Sequence, residues 1–252
     1  MTLLIDIGNT RMKWRFQSPT GMPSAGASTH ASPDFRSSLL SAWSGLEPQT
    51  VLSSCVGPAS ARQAVMDVCA ELFGAVPFHE ARTLARIGGL AIAYPHPERL
   101  GVDRFLALLA AHRRLPRDQL IVGVGTALTV DALQGDGRHR GGLIAPAPRL
   151  MMQSLIDATA GIRPWAAGSI VDFAATTEDA IASGAWHAAA GLIERALHRS
   201  RSWASGDVAL VLHGGDAPIL ASQLGPAVEL ALDLVLDGLL HFGELTAVVP
   251  HA

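Results

Sequence analysis

Leu4-Ile5-Asp6-Ile7-Gly8-Asn9-Thr10-Arg11-Met12-Lys13 decides how the rest of this chain is read. Thr2–Ile7 is a β-rich apolar run interrupted by one carboxylate; the next residues have turn chemistry, and Met12–Gln17 reads as a returning strand. The chain therefore opens with a β-hairpin. Glycine lets a backbone approach an anion closely, and successive turn N–H groups form a concave nest that suits phosphate. Asp6, at the end of the first strand, can hold Mg²⁺ directly or through water, because that ion favours carboxylate, phosphate and water oxygens. Lys13 can place a point charge on a phosphate. Taken alone, the same residues also describe an ordinary hairpin, since Asp, Gly and Asn shape turns everywhere.

Working outward, the pattern returns in the second half. Gln119–Val124 reads as a strand, Gly125-Thr126-Ala127 as a turn and Leu128–Leu133 as a strand, with His139–Ile144 as a third. Pro116–Asp118 is the natural boundary, giving two α/β domains, 1–116 and 117–252. The likeness between them is architectural, without a residue-level repeat. Two phosphate-type hairpins, one per half, carry more weight than either alone. Between them, Pro19–Ser38 reads at first as a Pro-, Gly- and Ser-rich loop and Val51–Ser54 as a strand. Ala59–Phe73 and Val102–Arg114 have helical periodicity, the latter ending in a basic turn that suits a helix C-terminus. Helices are also expected over Arg149–Ala158, Thr177–His198 and Leu234–Glu244, and a strand over Val208–Leu212.

Composition narrows the class. With 252 residues, nearly half of them apolar, the chain can bury a sizeable core. Its formal charge of −3 recommends neither nucleic acid nor an anionic membrane as a partner. Cys55 and Cys69 are not in CxxC spacing and read as buried, reduced thiols rather than zinc ligands. The N-terminus lacks a basic segment and a long apolar run, and Ile121–Leu133 is too short to span a bilayer. A cytoplasmic enzyme is expected.

Three further segments can carry chemistry. In Gly101-Val102-Asp103-Arg104 the carboxylate of Asp103 opens a helix, where it can accept a proton from a substrate alcohol or simply complement the helix dipole. In Leu212-His213-Gly214-Gly215 a Gly-Gly turn after an apolar strand lets a flat adenosine lie on backbone. Thr176 or Thr177 suits a helix N-cap, with Glu178 and Asp179 in the first turn.

These segments, in this order and spacing from Leu4 to about Ala217, resemble the type III pantothenate kinase family; Gly141-Gly142-Leu143-Ile144-Ala145-Pro146 and Thr177…Ala180-Ile181…Gly184 belong to the match. The resemblance implies a two-domain ribonuclease-H-like ATPase fold of the actin and sugar-kinase superfamily. It also implies a homodimer that phosphorylates pantothenate with ATP and Mg²⁺, the first step of coenzyme A synthesis. By that similarity Asp6, Ile7, Gly8, Asn9, Thr10, Arg11, Met12 and Lys13 would bind the ATP phosphates, with Mg²⁺ at Asp6. Thr126 would contact ATP from the second domain, and Gly214 and Gly215 would face adenosine. Asp103 would be the proton acceptor. Tyr94, Gly101, Val102, Asp103, Arg104 and Thr177 would line the pantothenate pocket, Thr177 from the partner subunit. Two positions depart from the family. Gly123 stands where an Asp normally holds a monovalent cation (potassium or ammonium), so the cation is lost, held by backbone carbonyls or replaced by another group. His213 stands where a threonine normally precedes Gly-Gly. Related proteins with altered motifs resemble a transcriptional accessory factor, which keeps a regulatory role as the alternative.

Overall fold

The computed structural model describes residues 1–18, 24–161, 166–225 and 227–248. The opening hairpin forms. Thr2–Ile7 is β1 and Arg11–Gln17 is β2, paired antiparallel, with Asp6 opposite Lys13 and Ile7 opposite Met12. The Gly8 N–H closes the turn by donating to the Arg11 carbonyl at 3.0 Å. Ser24–Thr29 (β3) adds antiparallel to β2, and Phe35–Trp43 forms α1. β3 and the start of α1, Phe35–Ser38, lie in the stretch expected to be loop; its small polar residues give no periodic signal, and β3 is a strand because β2 offers it an edge. Residues 19–23 of that expected loop lie outside the described residues. Thr50–Cys55 (β4) pairs parallel with β1, Ala59–Phe73 is α2, and Phe78–Glu80 (β5) pairs parallel with β4. The sheet order is β3-β2-β1-β4-β5.

The central strand β1 is buried at every position except half-buried Asp6, as a strand covered on both faces must be. Leu3, Ile5 and Ile7 face Leu39 and Trp43 of α1 and Val65 and Val68 of α2. Trp14 meets Trp43 edge to face at 6.2 Å, a geometry worth about 0.5–1.5 kcal/mol beyond the area buried. Period-two alternation turns Leu4 and Asp6 to the opposite face. There a short ribbon of Arg86–Ile87 (β6) and Leu90–Ala91 (β7) leads to a 3-10 turn at Pro97–Arg99 and to α3, Val102–Arg114. This helix is buried continuously from Arg104 to Ala111, as expected of one apolar around its circumference.

The second unit repeats the order. Gln119–Val124 (β8), Ala127–Leu133 (β9) and His139–Pro146 (β10) run antiparallel in succession. Pro148–Ala158 (α4) and Thr177–Ser200 (α5) follow. Ala209–His213 (β11) then pairs parallel with β8, Ala217–Leu224 forms α6, and Val228–Leu230 (β12) pairs parallel with β11. The order β10-β9-β8-β11-β12 has the same topology as the first sheet. Trp186, Ala189 and Ile193 of α5 share its core with Leu120, Val122 and Leu212.

The last helix, Leu234–Leu245 (α7), corrects the expected domain division. The compact units are Met1–Arg114 with Leu234–Ala252, and Leu115–Asp233, so the second unit does not run to residue 252. In the first unit α7 packs on α3: Phe242 sits edge to face on Phe105 at 6.3 Å. Asp237 pairs with Arg15 of β2 at 2.8 Å. A helix this apolar must be covered, and the face of the first sheet that carries Leu4 and Leu52 requires the same. Proximity in sequence does not reveal which sheet it will choose. Cys69 is buried and Cys55 half-buried, both free, and burial pushes the Cys69 thiol up to about 12.

Candidate active site

The first loop is built from two crossings of the sheet. Asp6 is the penultimate residue of β1, Gly8-Asn9-Thr10 make the turn, and Arg11, Met12 and Lys13 begin β2. Ile7 and Met12 are fully buried in the core, so of these two only backbone is left for a ligand. Asn9, Thr10 and Arg11 are exposed. Parallel pairing sets Ser54 of β4 beside Asp6, and the Ser54 hydroxyl donates to the Asp6 carboxylate at 2.7 Å. The N–H groups of Val56 and Gly57 both donate to the Ile7 carbonyl at 3.0 Å. Gly57 crosses so close that a Cβ there would lie 2.3 Å from the Gly8 carbonyl oxygen. His30 Nε2 is 2.9 Å from that same oxygen. Ser54, Gly57 and His30 brace the loop, and sequence reasoning missed all three. The available signal was Ser53-Ser54 interrupting an otherwise apolar strand.

Asp6 is the electrostatic centre of this unit. Burial pushes its carboxyl up to about 6; the Ser54 hydrogen bond opposes that rise, the negative charge of Asp103 adds to it, and Lys13 opposes it. The charges of Asp103 and Lys13 are thus felt at Asp6, which agrees with Asp6 lying on the face of β1 turned toward α3. A carboxylate held ionised against desolvation and a like charge has much to gain from a divalent cation. One carboxylate also suits Mg²⁺, which keeps waters and phosphate oxygens as its other ligands. The residues at this loop fit the ion.

Asp103 occupies the first turn of α3, just after Val102, and its Oδ1 accepts the N–H of Arg104 at 2.9 Å. Gly101 makes this possible: a Cβ there would meet Asp103 Oδ1 at 2.6 Å. The Gly-x-Asp spacing therefore has a steric cause. Arg104 is buried, its guanidinium donates to the Tyr94 hydroxyl at 3.3 Å, and its Cζ lies 6.0 Å from the Tyr94 ring centroid. The first unit thus gathers Asp6, Lys13, Tyr94, Gly101, Val102, Asp103 and Arg104.

In the second unit Thr126 is exposed in the β8–β9 turn, where the Gly125 N–H donates to the Ala127 carbonyl at 3.1 Å. Gly214, at φ +99°, lies against that turn's first strand; a Cβ there would be 2.4 Å from the Val124 carbonyl oxygen. Gly215 follows it, exposed. Thr177 is the exposed first residue of α5, and the cap itself is Thr176, whose hydroxyl accepts the Asp179 N–H at 3.2 Å. Gly123 is buried in β8 with His213 beside it in β11. Among the described residues no cluster of three or more His, Cys, Asp or Glu side chains could hold a metal ion. Among the same described residues no helix is long and apolar enough to cross a membrane.

Two sheets of one order, each with a glycine-bearing turn at the end of its central strand, define the fold class: the ribonuclease-H-like fold of the actin and sugar-kinase type. Solved structures agree. One from Campylobacter jejuni, described as a conserved, provisionally assigned Baf-family transcriptional activator, covers 98% of this chain and 100% of its own, with TM-score 0.62 and 16% identity. Component A of (R)-2-hydroxyglutaryl-CoA dehydratase from Acidaminococcus fermentans covers 98% and 96%, with TM-score 0.53 and 12% identity. Identities this low speak to the fold alone. The particular family comes from sequence: the model of the type III pantothenate kinases matches residues 2–199. The Type III pantothenate kinase of Xylella fastidiosa (strain M23) is 46% identical over 167 residues, 66% of this chain and 67% of the relative. That of Laribacter hongkongensis (strain HLHK9) is 36% identical over 247 residues, 98% of this chain and 100% of the relative. The chain belongs to the type III pantothenate kinase family and is by that membership a kinase; the regulatory alternative is not favoured.

Proposed function

We propose that this chain transfers the γ-phosphoryl group of ATP to the primary hydroxyl of pantothenate, giving 4'-phosphopantothenate at the entry to coenzyme A synthesis. The observation that supports this reading is the match of residues 2–199 to the type III pantothenate kinases, on a first unit that sets Asp6 near the end of β1 and Asp103 in the first turn of α3. Phosphoryl transfer asks the protein chiefly for positioning and charge neutralisation. The Asp6–Lys13 loop holds the phosphates, with Lys13 as a point charge. Asp6 is the residue that would hold Mg²⁺, and that ion when bound neutralises phosphate charge. Asp103 orients the acceptor hydroxyl and takes its proton as the new O–P bond forms; the bond from γ-phosphorus to the bridging oxygen breaks, and ADP leaves with the electron pair. Arg104, steadied by Tyr94, holds the acceptor or the developing charge. Thr126, Gly214 and Gly215 serve the nucleotide from the second unit. Thr177 completes the pantothenate pocket of a homodimer, supplied by the partner subunit, and the enzyme works in the cytoplasm.

The test is purified protein incubated with Mg²⁺-ATP and pantothenate, with the product identified by mass spectrometry. The expected product is pantothenate carrying one phosphoryl group. A substrate panel that yields phosphorylated sugar or acetate and leaves pantothenate untouched would replace this reading with another kinase of the same fold.

A further inference from the structure

Three positions lie in one row across the second sheet, at the end that carries the Gly125-Thr126 turn. Strand register sets Thr129 of β9 beside Gly123 of β8, and Gly123 beside His213 of β11. Laterally paired residues project from the same face of a sheet. The middle position has no side chain, and its two flanks fill the room above it. A Cβ on Gly123 would lie 2.7 Å from the Thr129 hydroxyl oxygen, and 3.1 and 3.2 Å from Nε2 and Cε1 of His213. The imidazole therefore leans its tip over the glycine. Its backbone is held as well: Gly214 rests on Val124, and the Asp216 N–H donates to the Val124 carbonyl at 3.3 Å. The ring, the Gly214-Gly215 turn and the end of β8 form one packed unit.

The side chains of this row do not fit a monovalent cation. Such an ion needs a cage of oxygens to replace its hydration shell, and hard cations take oxygen ligands. The row offers one hydroxyl and no carboxylate, and an imidazole edge stands where a side chain at 123 would project. The two departures from the family pattern, Gly123 and His213, thus lie against each other in one row of the sheet.

We propose that His213 is a nucleotide-positioning residue that takes the place of the monovalent cation: seated on Gly123, its imidazole fixes the second nucleotide loop, and ATP binds without potassium or ammonium. The inference rests on the kinase reading for its ligand and not on the identity of the acceptor. The test is calorimetric titration of a non-hydrolysable ATP analogue with Mg²⁺ into the intact chain, in potassium and in sodium buffers. The expected dissociation constants agree within about twofold, and binding about tenfold tighter in potassium, a difference of about 1.4 kcal/mol, overturns the proposal. The titration needs no pantothenate, so intact binding without turnover would sink the proposed reaction and leave this inference standing. Absence of nucleotide binding in both buffers would sink both.

His213→Ala should weaken analogue binding about tenfold, and Gly123→Ala should do the same by displacing the ring, while the double variant should fall well short of the product of the two. Independent effects that multiply would overturn the contact. In turnover, His213→Ala should raise KM for ATP and leave KM for pantothenate unchanged; a merely structural lesion would move both. His213→Asn carries the same measurements if the alanine variant does not fold. Unchanged nucleotide affinity in a folded His213 variant refutes the proposal.

Discussion

The Ser54 hydroxyl donates a 2.7 Å hydrogen bond to the carboxylate of Asp6, across parallel strands whose register places the two residues side by side. That bond eases the ionisation of a group that burial and Asp103 disfavour. The β1–β2 loop thus keeps a carboxylate at some cost to the fold, a cost that Ser54 and Lys13 reduce and Asp103 adds to.

Asp6 has a folded pKa of about 6 against 3.8 for the free group, so the folded state holds its proton more tightly than the unfolded chain. Stability from this group is complete below about pH 4 and is lost as pH rises to about 6. Asp6→Asn should remove that loss: without nucleotide or metal, the variant should be about 1–3 kcal/mol more stable than the parent above pH 7, and the gap should close near pH 4. Denaturant unfolding in EDTA at both pH values measures this. In the same variant KM for Mg²⁺-ATP should rise.

Asp103→Asn should lower kcat by about 10²–10⁴, the range for a positioned base, and leave Mg²⁺-ATP binding intact. Steady-state rates with both substrates saturating give the answer, and a kcat near that of the parent removes Asp103 from its assigned role.

Gly101→Ala tests whether the glycine serves the carboxylate. The new Cβ would stand 2.6 Å from Asp103 Oδ1 and must push it aside. Displacement of about 1 Å can cost about 10² in rate, so kcat should drop about that far while the thermal midpoint hardly moves. A parent-like kcat would mean that the side chain of Asp103 relaxes without consequence.

Gly238→Ala reads the placement of α7. A Cβ there would lie 2.0 Å from the Leu106 carbonyl oxygen of α3, and backbone cannot yield as a side chain tip can. Unfolding free energy should fall by about 1–3 kcal/mol, the usual cost of overpacking. Equilibrium denaturation with unchanged stability would contradict the α3–α7 packing.

Gly8-Asn9-Thr10, Gly125-Thr126, Gly214-Gly215 and the acidic opening of α3 were legible in the sequence by itself, as were the helices from Ala59 and Val102, because turn chemistry and helical periodicity are properties of a few neighbouring residues. The pairing of Ser54 with Asp6, the bracing by Gly57, the seat of His213 on Gly123 and the return of α7 to the first sheet were decided only by tertiary structure. Ser54 and Asp6 are 48 residues apart in the chain. Their contact depends on strand register and on which apolar face needs cover, and no local stretch of sequence encodes either.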